Sequence, residues 1–301
     1  MSEGYVKQLL DPLQTLHLLR RVPIFCGDLL KTRLTATNRV NGNNAQAYNH
    51  VPAANRISYF DLRVVHEDSE RLELKIENQE ISTQFKSGIL IKTAKRLRPC
   101  YYLPYLLNGV TRMKLSPPQG YTGDPIEFFA TAAIDGCSVY VEGPAATPKV
   151  SHANANAVAP APLMRTQQLA ELEHVRLGRV QAKITDMDNR MNIIKKGQAT
   201  VVDRPHYMSA DTALGRAGAM QAFANARGFR LDQVVEYIPM GAVIGVMTNG
   251  QWKFFLQKFG SFGYYSNKPT PQSPPKGYKS TYYVLAANEF WPANSAGARI
   301  F

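Results

Sequence analysis

The sequence has few cysteines and no long apolar run, and these two absences exclude several classes of protein. Only three of its 301 residues are cysteines, at positions 26, 100 and 137, an odd number without paired spacing. Neither a disulfide framework nor a cysteine-rich zinc site is therefore predicted, and free thiols are expected. No stretch approaches the ~20 apolar residues of a membrane-spanning helix. With 45% hydrophobic and 19% charged residues, the chain is expected to be globular.

Acidic residues are in the minority, and the resulting positive charge is unevenly distributed. The chain has 35 basic and 23 acidic side chains, a formal net charge of +12. Residues 161–301 contribute 17 basic against 9 acidic side chains, whereas residues 1–160 contribute 18 against 14. This charge suits nucleic acid, anionic lipid headgroups or an acidic protein partner. Nucleic-acid binding is the secondary hypothesis, because Arg and Lys are scattered and no nucleic-acid-binding motif is present.

The N-terminal segment combines a helical pattern with a polar stretch. Leucines between positions 5 and 22 lie near helical spacing, and Pro12 is expected to end or kink the first part of this helix. From Thr35 to Asn55 the composition shifts to Asn, Ala and Thr without apolar periodicity, which favours a loop. We therefore predict an N-terminal helix and loop over residues 1–55 and a second domain over residues 56–301.

The first half of the second domain is dominated by short strand patterns. Residues 56–66 and 71–76 alternate on either side of a polar turn, which predicts a β-hairpin. The acidic residues from Glu67 to Glu80 are interpreted as the solvated face and tip of this hairpin, since no calcium-loop spacing accompanies them. Further strands are predicted over residues 87–93, 100–107, 127–134 and 138–142, and near Val150.

The second half contains two helical patterns and a second hairpin. Ser209 is the predicted N-cap of an Ala-rich helix that ends at Gly228. Asn249-Gly250 favours a type I′ turn between strands over 243–247 and 252–257, and another strand is predicted over 281–285. An amphipathic stripe predicts one more helix, formed by Leu177, Val180, Ile184, Met187, Met191 and Ile194.

These patterns together predict an α+β fold. Strands occur in runs and do not alternate regularly with helices. We therefore expect a mixed or antiparallel β-sheet or sandwich core with flanking helices.

The strongest chemical signal lies between residues 127 and 154. Cys137 directly follows Gly136 between two strand patterns, where the chain must turn tightly. A thiol at such a turn can point into a cleft while the amides of Cys137 and Ser138 point the same way. Those amides are the donors that a developing oxyanion requires.

Nucleophilic cysteine chemistry also requires a base, and His152 is the candidate. It follows Cys137 by fifteen residues, at the end of the next predicted strand, and a hairpin would bring the two side chains together. The hydroxyl or the backbone carbonyl of Thr131 could accept a hydrogen bond from the far nitrogen of His152. Asp135 is the competing acceptor, although its position is more typical of a turn former.

Structural interpretations stand beside this one for every cysteine and histidine. A lone cysteine in a strand is often a small buried apolar side chain, and Cys26 and Cys100 are interpreted in this way. His206 is the rival candidate for the base. The remaining histidines are interpreted as surface residues: His17, His50, His66 and His174.

Thr131, Gly136-Cys137 and His152 resemble the Thr/Cys/His arrangement of the glutamine deamidases. This group includes the chemotaxis receptor deamidase, the cytotoxic necrotizing factor toxins and a related lethal-factor toxin. The resemblance covers residues 127–153. It departs at the turn, where the family usually has Ser-Gly-Cys or Gly-Ser-Cys and this chain has Asp135-Gly136-Cys137-Ser138. In some of these toxins a backbone carbonyl orients the histidine, so Thr131 could act through its position.

The resemblance implies a bacterial effector toxin that deamidates glutamine on a host protein, with a Rho-family small GTPase as the expected substrate. Cys137 would be the nucleophile, His152 the base and Thr131 the third member of the triad, and no cofactor or metal would be required. The alternatives left open are a transglutaminase or cysteine protease with the same triad, or a non-enzymatic basic protein that binds nucleic acid or an anionic surface.

The expected route of such a protein is export by an injection device and action in the host cytosol. The opening residues 1–4 lack the basic start and apolar stretch of a secretory signal peptide. Reduced thiols suit a reducing cytosol. The segment up to residue 55 could be recognised by the delivery device, or could be a docked helix and loop.

Overall fold

The structure is a computed structural model in which the described residues form four α-helices, a 3-10 helix (Leu231–Gln233) and thirteen strands. The described ranges are 2–26, 49–50, 57–65, 71–77, 98–103, 109–115, 126–134, 137–154, 200–202, 204–207, 213–267 and 276–292. The helices are α1 (Ser2–Leu10), α2 (Thr15–Arg21), α3 (Arg204–Tyr207) and α4 (Ala213–Arg227). The strands are β1 (Ile24–Cys26), β2 (Asn49–His50), β3 (Ile57–Val65), β4 (Arg71–Glu77), β5 (Arg98–Leu103), β6 (Gly109–Lys114), β7 (Phe128–Thr131), β8 (Ser138–Glu142), β9 (Lys149–Asn154), β10 (Thr200–Val202), β11 (Val234–Thr248), β12 (Gln251–Tyr265) and β13 (Tyr278–Trp291).

The strands form one large and one small sheet. The large sheet has eight strands in the order β1-β4-β3-β5-β7-β11-β12-β13, in which β1–β4 and β5–β7 are parallel pairs and the others antiparallel. The small sheet has five strands in the order β10-β8-β9-β6-β2, in which only β2–β6 is parallel. Two mixed sheets with helices packed against them confirm the predicted α+β class.

Residues of the large sheet alternate between two buried layers, as the side chains of a strand alternate between its faces. On β7, Phe128 packs with the N-terminal helices, whereas Phe129 packs with the small sheet. On β11, Ile244 likewise packs with the N-terminal helices and Val243 with the small sheet. We call the apolar cluster between the large sheet and α1–α2 the helix-side layer, and the cluster between the two sheets the inter-sheet layer.

The N-terminal helices are docked on the large sheet. The helix breaks after Leu10, as the position of Pro12 predicted, and Asp11 accepts a hydrogen bond from the backbone N–H of Leu13 in the intervening turn (2.9 Å). Leu9 and Leu19 are fully buried in the helix-side layer. The boundary near residue 55 and a role of this segment in delivery stay predictions.

The long β11–β12 hairpin confirms the predicted turn and extends far beyond the predicted strands. Asn249 and Gly250 both have positive φ, 51° and 74°, as a type I′ turn requires. Each strand has 15 residues. Helix α4 packs on the far end of this hairpin, where Phe223 stacks on Phe262, and it ends before Gly228, whose φ of +69° is the predicted left-handed terminus.

Several other local predictions are confirmed, and some fall outside the described ranges. The β3–β4 hairpin and strands β5, β7, β8, β9 and β13 lie where strand patterns were found. Strand β6 was missed because its two apolar residues, Val110 and Met113, are three positions apart and do not follow the two-residue period of a half-buried strand. The predictions that lie outside the described residues are the strand over 87–93, the helix over 177–194, the N-cap at Ser209 and the loop of 35–55 except for β2.

None of the described helices is long and apolar enough to cross a membrane.

Candidate active site

The β8–β9 hairpin brings Cys137 and His152 to one face of the small sheet. In its antiparallel register Val139 lies opposite His152 and Ser138 opposite Ala153. Cys137 directly precedes β8 and packs in the same buried cluster as Val139, and residues two apart along a strand share a face. Cys137 therefore lies on the face of the small sheet that carries His152, one residue before the paired part of the hairpin begins.

His152 is fully buried in the inter-sheet layer, and burial controls its protonation. Loss of hydration penalises the imidazolium and lowers the pKa of His152 to about 4, while the backbone of Leu103 acts in the opposite direction. The ring is therefore neutral at pH 7. Neutral imidazole is the form that can accept a proton from a thiol.

The backbone that influences His152 belongs to the opposite sheet. Leu103 is the last residue of β5 and pairs with Thr131 on β7. Its backbone favours the protonated ring and so raises the pKa of His152, against the larger effect of burial. The Leu103 carbonyl accepts a hydrogen bond from the backbone N–H of Ala132 (3.2 Å). A polar backbone group of β5 therefore acts on the buried imidazole of β9.

Thr131 lies beside Leu103, but its hydroxyl is directed elsewhere. The side chain is fully buried, and Oγ1 donates to the carbonyl of Ala132 (2.8 Å). Thr131 therefore adjoins Leu103 through the β5–β7 pairing, while its hydroxyl is not directed at His152.

Cys137 is held by backbone contacts at the entrance to β8. Only 2% of its surface is exposed, and it packs with Val139 and Tyr207 in the inter-sheet layer. Its carbonyl accepts a 2.6 Å hydrogen bond from Tyr207 Oη. Ser138, the candidate oxyanion donor, is the half-buried first residue of β8, and Asp135 and Gly136 lie outside the described residues. Burial of this degree also occurs for structural cysteines.

The other cysteines and histidines are distributed away from this pair or are not described. Cys100 is buried in the helix-side layer, on the opposite face of the large sheet from Cys137. His206 is half-buried on α3, next to Tyr207. His17 is exposed on α2, with Nε2 3.3 Å from Arg21 Nη1. The side chains of the remaining four residues lie outside the described part of the structure: Cys26, His50, His66 and His174.

Sequence reasoning did not single out two residues beside this pair. Leu103 acts on His152 through its backbone, which no side-chain pattern identifies. Tyr207 directly follows His206, and the segment was noted for its histidine and not for its tyrosine. Within the described part of the chain, no group of three or more His, Cys, Asp or Glu residues is arranged to hold a metal ion.

No protein family model matches this chain, and a search of the curated proteins finds no significant match to it. The assignment of a function therefore depends on the residues of the hairpin and their surroundings.

Proposed function

We propose that the protein is a cysteine-dependent protein glutamine deamidase and acts as a bacterial effector toxin on a host protein. The observation that carries the proposal is the β8–β9 register, in which Val139 lies opposite His152, together with the position of Cys137 two residues before Val139 in the same buried cluster. The neutral state of His152 at pH 7 supports it, because a base must be able to accept a proton. The resemblance to the glutamine deamidases supplies the reaction, and the expected substrate is a Rho-family small GTPase.

In the proposed reaction His152 removes the proton of the Cys137 thiol, and the thiolate attacks the carbon of the glutamine carboxamide. The resulting tetrahedral oxyanion accepts hydrogen bonds from backbone amides at the turn, for which Cys137 and Ser138 are the candidates. The C–N bond then breaks as His152 protonates the departing ammonia, which leaves a thioester on Cys137. His152 next takes a proton from water, whose oxygen attacks the thioester, and glutamate and the thiol are released.

The burial of the pair has a chemical consequence for this reaction. A thiolate in an apolar layer is costly unless an imidazolium forms beside it, so thiolate and imidazolium must arise together. The neutral state of His152 at pH 7 is the starting form for that proton transfer. The substrate side chain must reach the thiol within the layer between the sheets, which would exclude bulk water from the first step.

The decisive experiment incubates purified Rho-family GTPases with the protein and follows their intact mass and peptide masses. Deamidation converts one glutamine to glutamate, a small mass gain at a single residue. A larger adduct in the presence of an amine would identify a transglutaminase, and fragments would identify a protease. Cys137→Ser and His152→Ala should each abolish the product, whereas Cys100→Ser should retain it because Cys100 lies in the other layer.

A full product yield from the Cys137→Ser/His152→Ala double variant would contradict the proposal. The non-enzymatic alternative makes the opposite prediction. A basic binding protein would bind an anionic polymer with an affinity that falls steeply with added salt, and would be indifferent to Cys137→Ser. Circular dichroism of each variant would establish that the fold is retained.

A further inference from the structure

Tyr207 makes a direct contact with the backbone of the candidate nucleophile. Its side chain is 1% exposed, and its hydroxyl donates to the carbonyl of Cys137 at 2.6 Å. The two residues are 70 positions apart in the sequence, so this bond joins the single-turn helix α3 to the start of β8. A hydrogen bond to the carbonyl of a residue fixes the plane of the peptide that follows it, because the peptide unit is planar.

The strand beneath Tyr207 leaves room for its ring. Gly241 on β11 has no side chain, and a Cβ atom added there would lie 3.1 Å from Tyr207 Cγ and 2.9 Å from Ile134 Cγ1. Contacts this short require the neighbours to move. The absence of a side chain at Gly241 thus allows Tyr207 to lie against the large sheet within reach of Cys137.

The segment before Cys137 is attached to the same glycine. Ile134 and Gly241 exchange two backbone hydrogen bonds, each of 2.8 Å, as an isolated antiparallel bridge. The chain is therefore anchored at Ile134, three residues before the thiol, and again at the carbonyl of Cys137 itself. Both contacts lie against β11, so Ile134 and Cys137 have a common support.

We infer that Tyr207 is a positioning residue that fixes the backbone of Cys137 so that its thiol remains in register with His152. The inference rests on the proposed function. Tyr207 does not transfer a proton in this scheme, because its hydroxyl donates to a backbone carbonyl. Its effect is on the distance and orientation between sulfur and imidazole, and a misplacement of about 1 Å can reduce a rate by about 100-fold.

The test compares the alkylation of two buried cysteines of the same chain by iodoacetamide. Cys137 is the candidate nucleophile, and Cys100 is a buried internal control in the helix-side layer. Peptide mass spectrometry gives the alkylation rate of each at pH values from about 5 to 10. A thiol activated by an imidazole reacts at lower pH than an ordinary thiol, whose pKa is about 8.5.

In the wild-type chain we expect the profile of Cys137 to lie at lower pH than that of Cys100. Tyr207→Phe retains the ring and removes the hydroxyl, and should move the Cys137 profile by about one pH unit or more toward that of an ordinary thiol. The Cys100 profile should not move. Gly241→Ala displaces the ring without removing the hydroxyl and should shift Cys137 in the same direction. Tyr237→Phe, at another buried tyrosine of the large sheet, should have no effect.

Two outcomes would overturn the inference while the proposed function stands. In one, the low-pH profile of Cys137 depends on His152 but is unchanged in both Tyr207→Phe and Gly241→Ala. In the other, these variants raise the rates at both cysteines equally, which would be the effect of general destabilisation. Failure of the proposed function has a different signature: the two cysteines of the wild-type chain would share one profile, and His152→Ala would not alter it.

Discussion

The helix-side layer and the inter-sheet layer lie on opposite faces of the large sheet, and each buries a polar side chain completely. In the helix-side layer this is Gln257, which is neutral at every pH. In the inter-sheet layer it is His152, which can bind a proton. Burial in an apolar layer therefore affects the two side chains differently, because Gln257 stays neutral whereas His152 becomes charged when it binds a proton.

Gln257 is tied to the N-terminal segment by three backbone hydrogen bonds. Its Oε1 accepts from the N–H of Ile24 (2.8 Å), and its Nε2 donates to the carbonyls of Leu19 (2.6 Å) and Val22 (2.8 Å). It thus satisfies backbone groups at the end of α2 and the start of β1. A buried amide with matched partners is a structural link, whereas a buried histidine makes stability depend on pH. Gln257 therefore supports the fold, whereas stability alone does not explain why His152 is buried.

The largest expected effect is that of Gln257→Leu on stability. The substitution puts an apolar side chain of similar size in the layer but leaves three buried backbone groups without their partner, and each such group costs about 1–3 kcal/mol. We expect the free energy of unfolding in urea at pH 7 to fall by about 4 kcal/mol. Gln221→Leu, on the exposed face of α4, should change it by less than about 0.5 kcal/mol. A loss below about 1 kcal/mol for Gln257→Leu would show that these backbone groups find other partners.

The second effect is the response of stability to acid. The folded pKa of His152 is about 4 and its ordinary value 6.5, so between these values the unfolded chain binds the extra proton. The contribution of His152 to the free energy of unfolding is therefore fully present above pH 6.5. It is lost as the pH falls to about 4, and the loss is about 3 kcal/mol. Urea unfolding at several pH values would measure it.

His152→Gln isolates this contribution because the side chain remains polar but does not titrate. The variant should show a flatter decline in stability between pH 6.5 and pH 4 than the wild-type chain does. His17→Gln, at an exposed histidine of α2, should leave the decline unchanged. Equal slopes for wild type and His152→Gln would mean that His152 is not buried in solution as it is in this structure.

Particular residues show how much of the structure could be predicted from the sequence alone. The Asn249-Gly250 hairpin, the break after Leu10 and the helix end at Gly228 were predictable because each depends on the dihedral preferences of one or two residues. The β8–β9 pairing was predictable for a similar reason, since a short connection joins two adjacent strand patterns.

Contacts between distant segments were not predictable in this way. The parallel pairing of β5 with β7 joins residues about thirty positions apart, and no local pattern specifies it. The burial of His152 depends on the large sheet that faces it. The sequence therefore indicated a candidate base but not that it is buried. Gln257 occurs within an aromatic strand and carries no motif, although it joins three segments of the chain.

The smallest effect is expected at Thr131. Thr131→Val removes a hydroxyl that donates to the carbonyl of Ala132 but keeps the shape of the side chain, so stability should fall by about 1 kcal/mol. If the proposed deamidation is detected, its rate should change by less than about threefold, because the Thr131 hydroxyl donates to the carbonyl of Ala132 and is not directed at His152. The rate is measured by mass spectrometry of the substrate, with Thr281→Val as a matched variant at a buried threonine of β13. A rate loss as large as that of His152→Ala would assign the orienting role to the Thr131 hydroxyl.

The division of the candidate site between two sheets has a consequence for how the chain acquires reactivity. Sulfur and imidazole belong to the β8–β9 hairpin and the residue before it, whose contacts can form early because they are local. The backbone of Leu103, which favours the protonated ring, arrives only when β5 packs opposite that hairpin. Under the proposed function, a partly folded chain would thus carry the imidazole and the thiol without the surroundings that control their protonation.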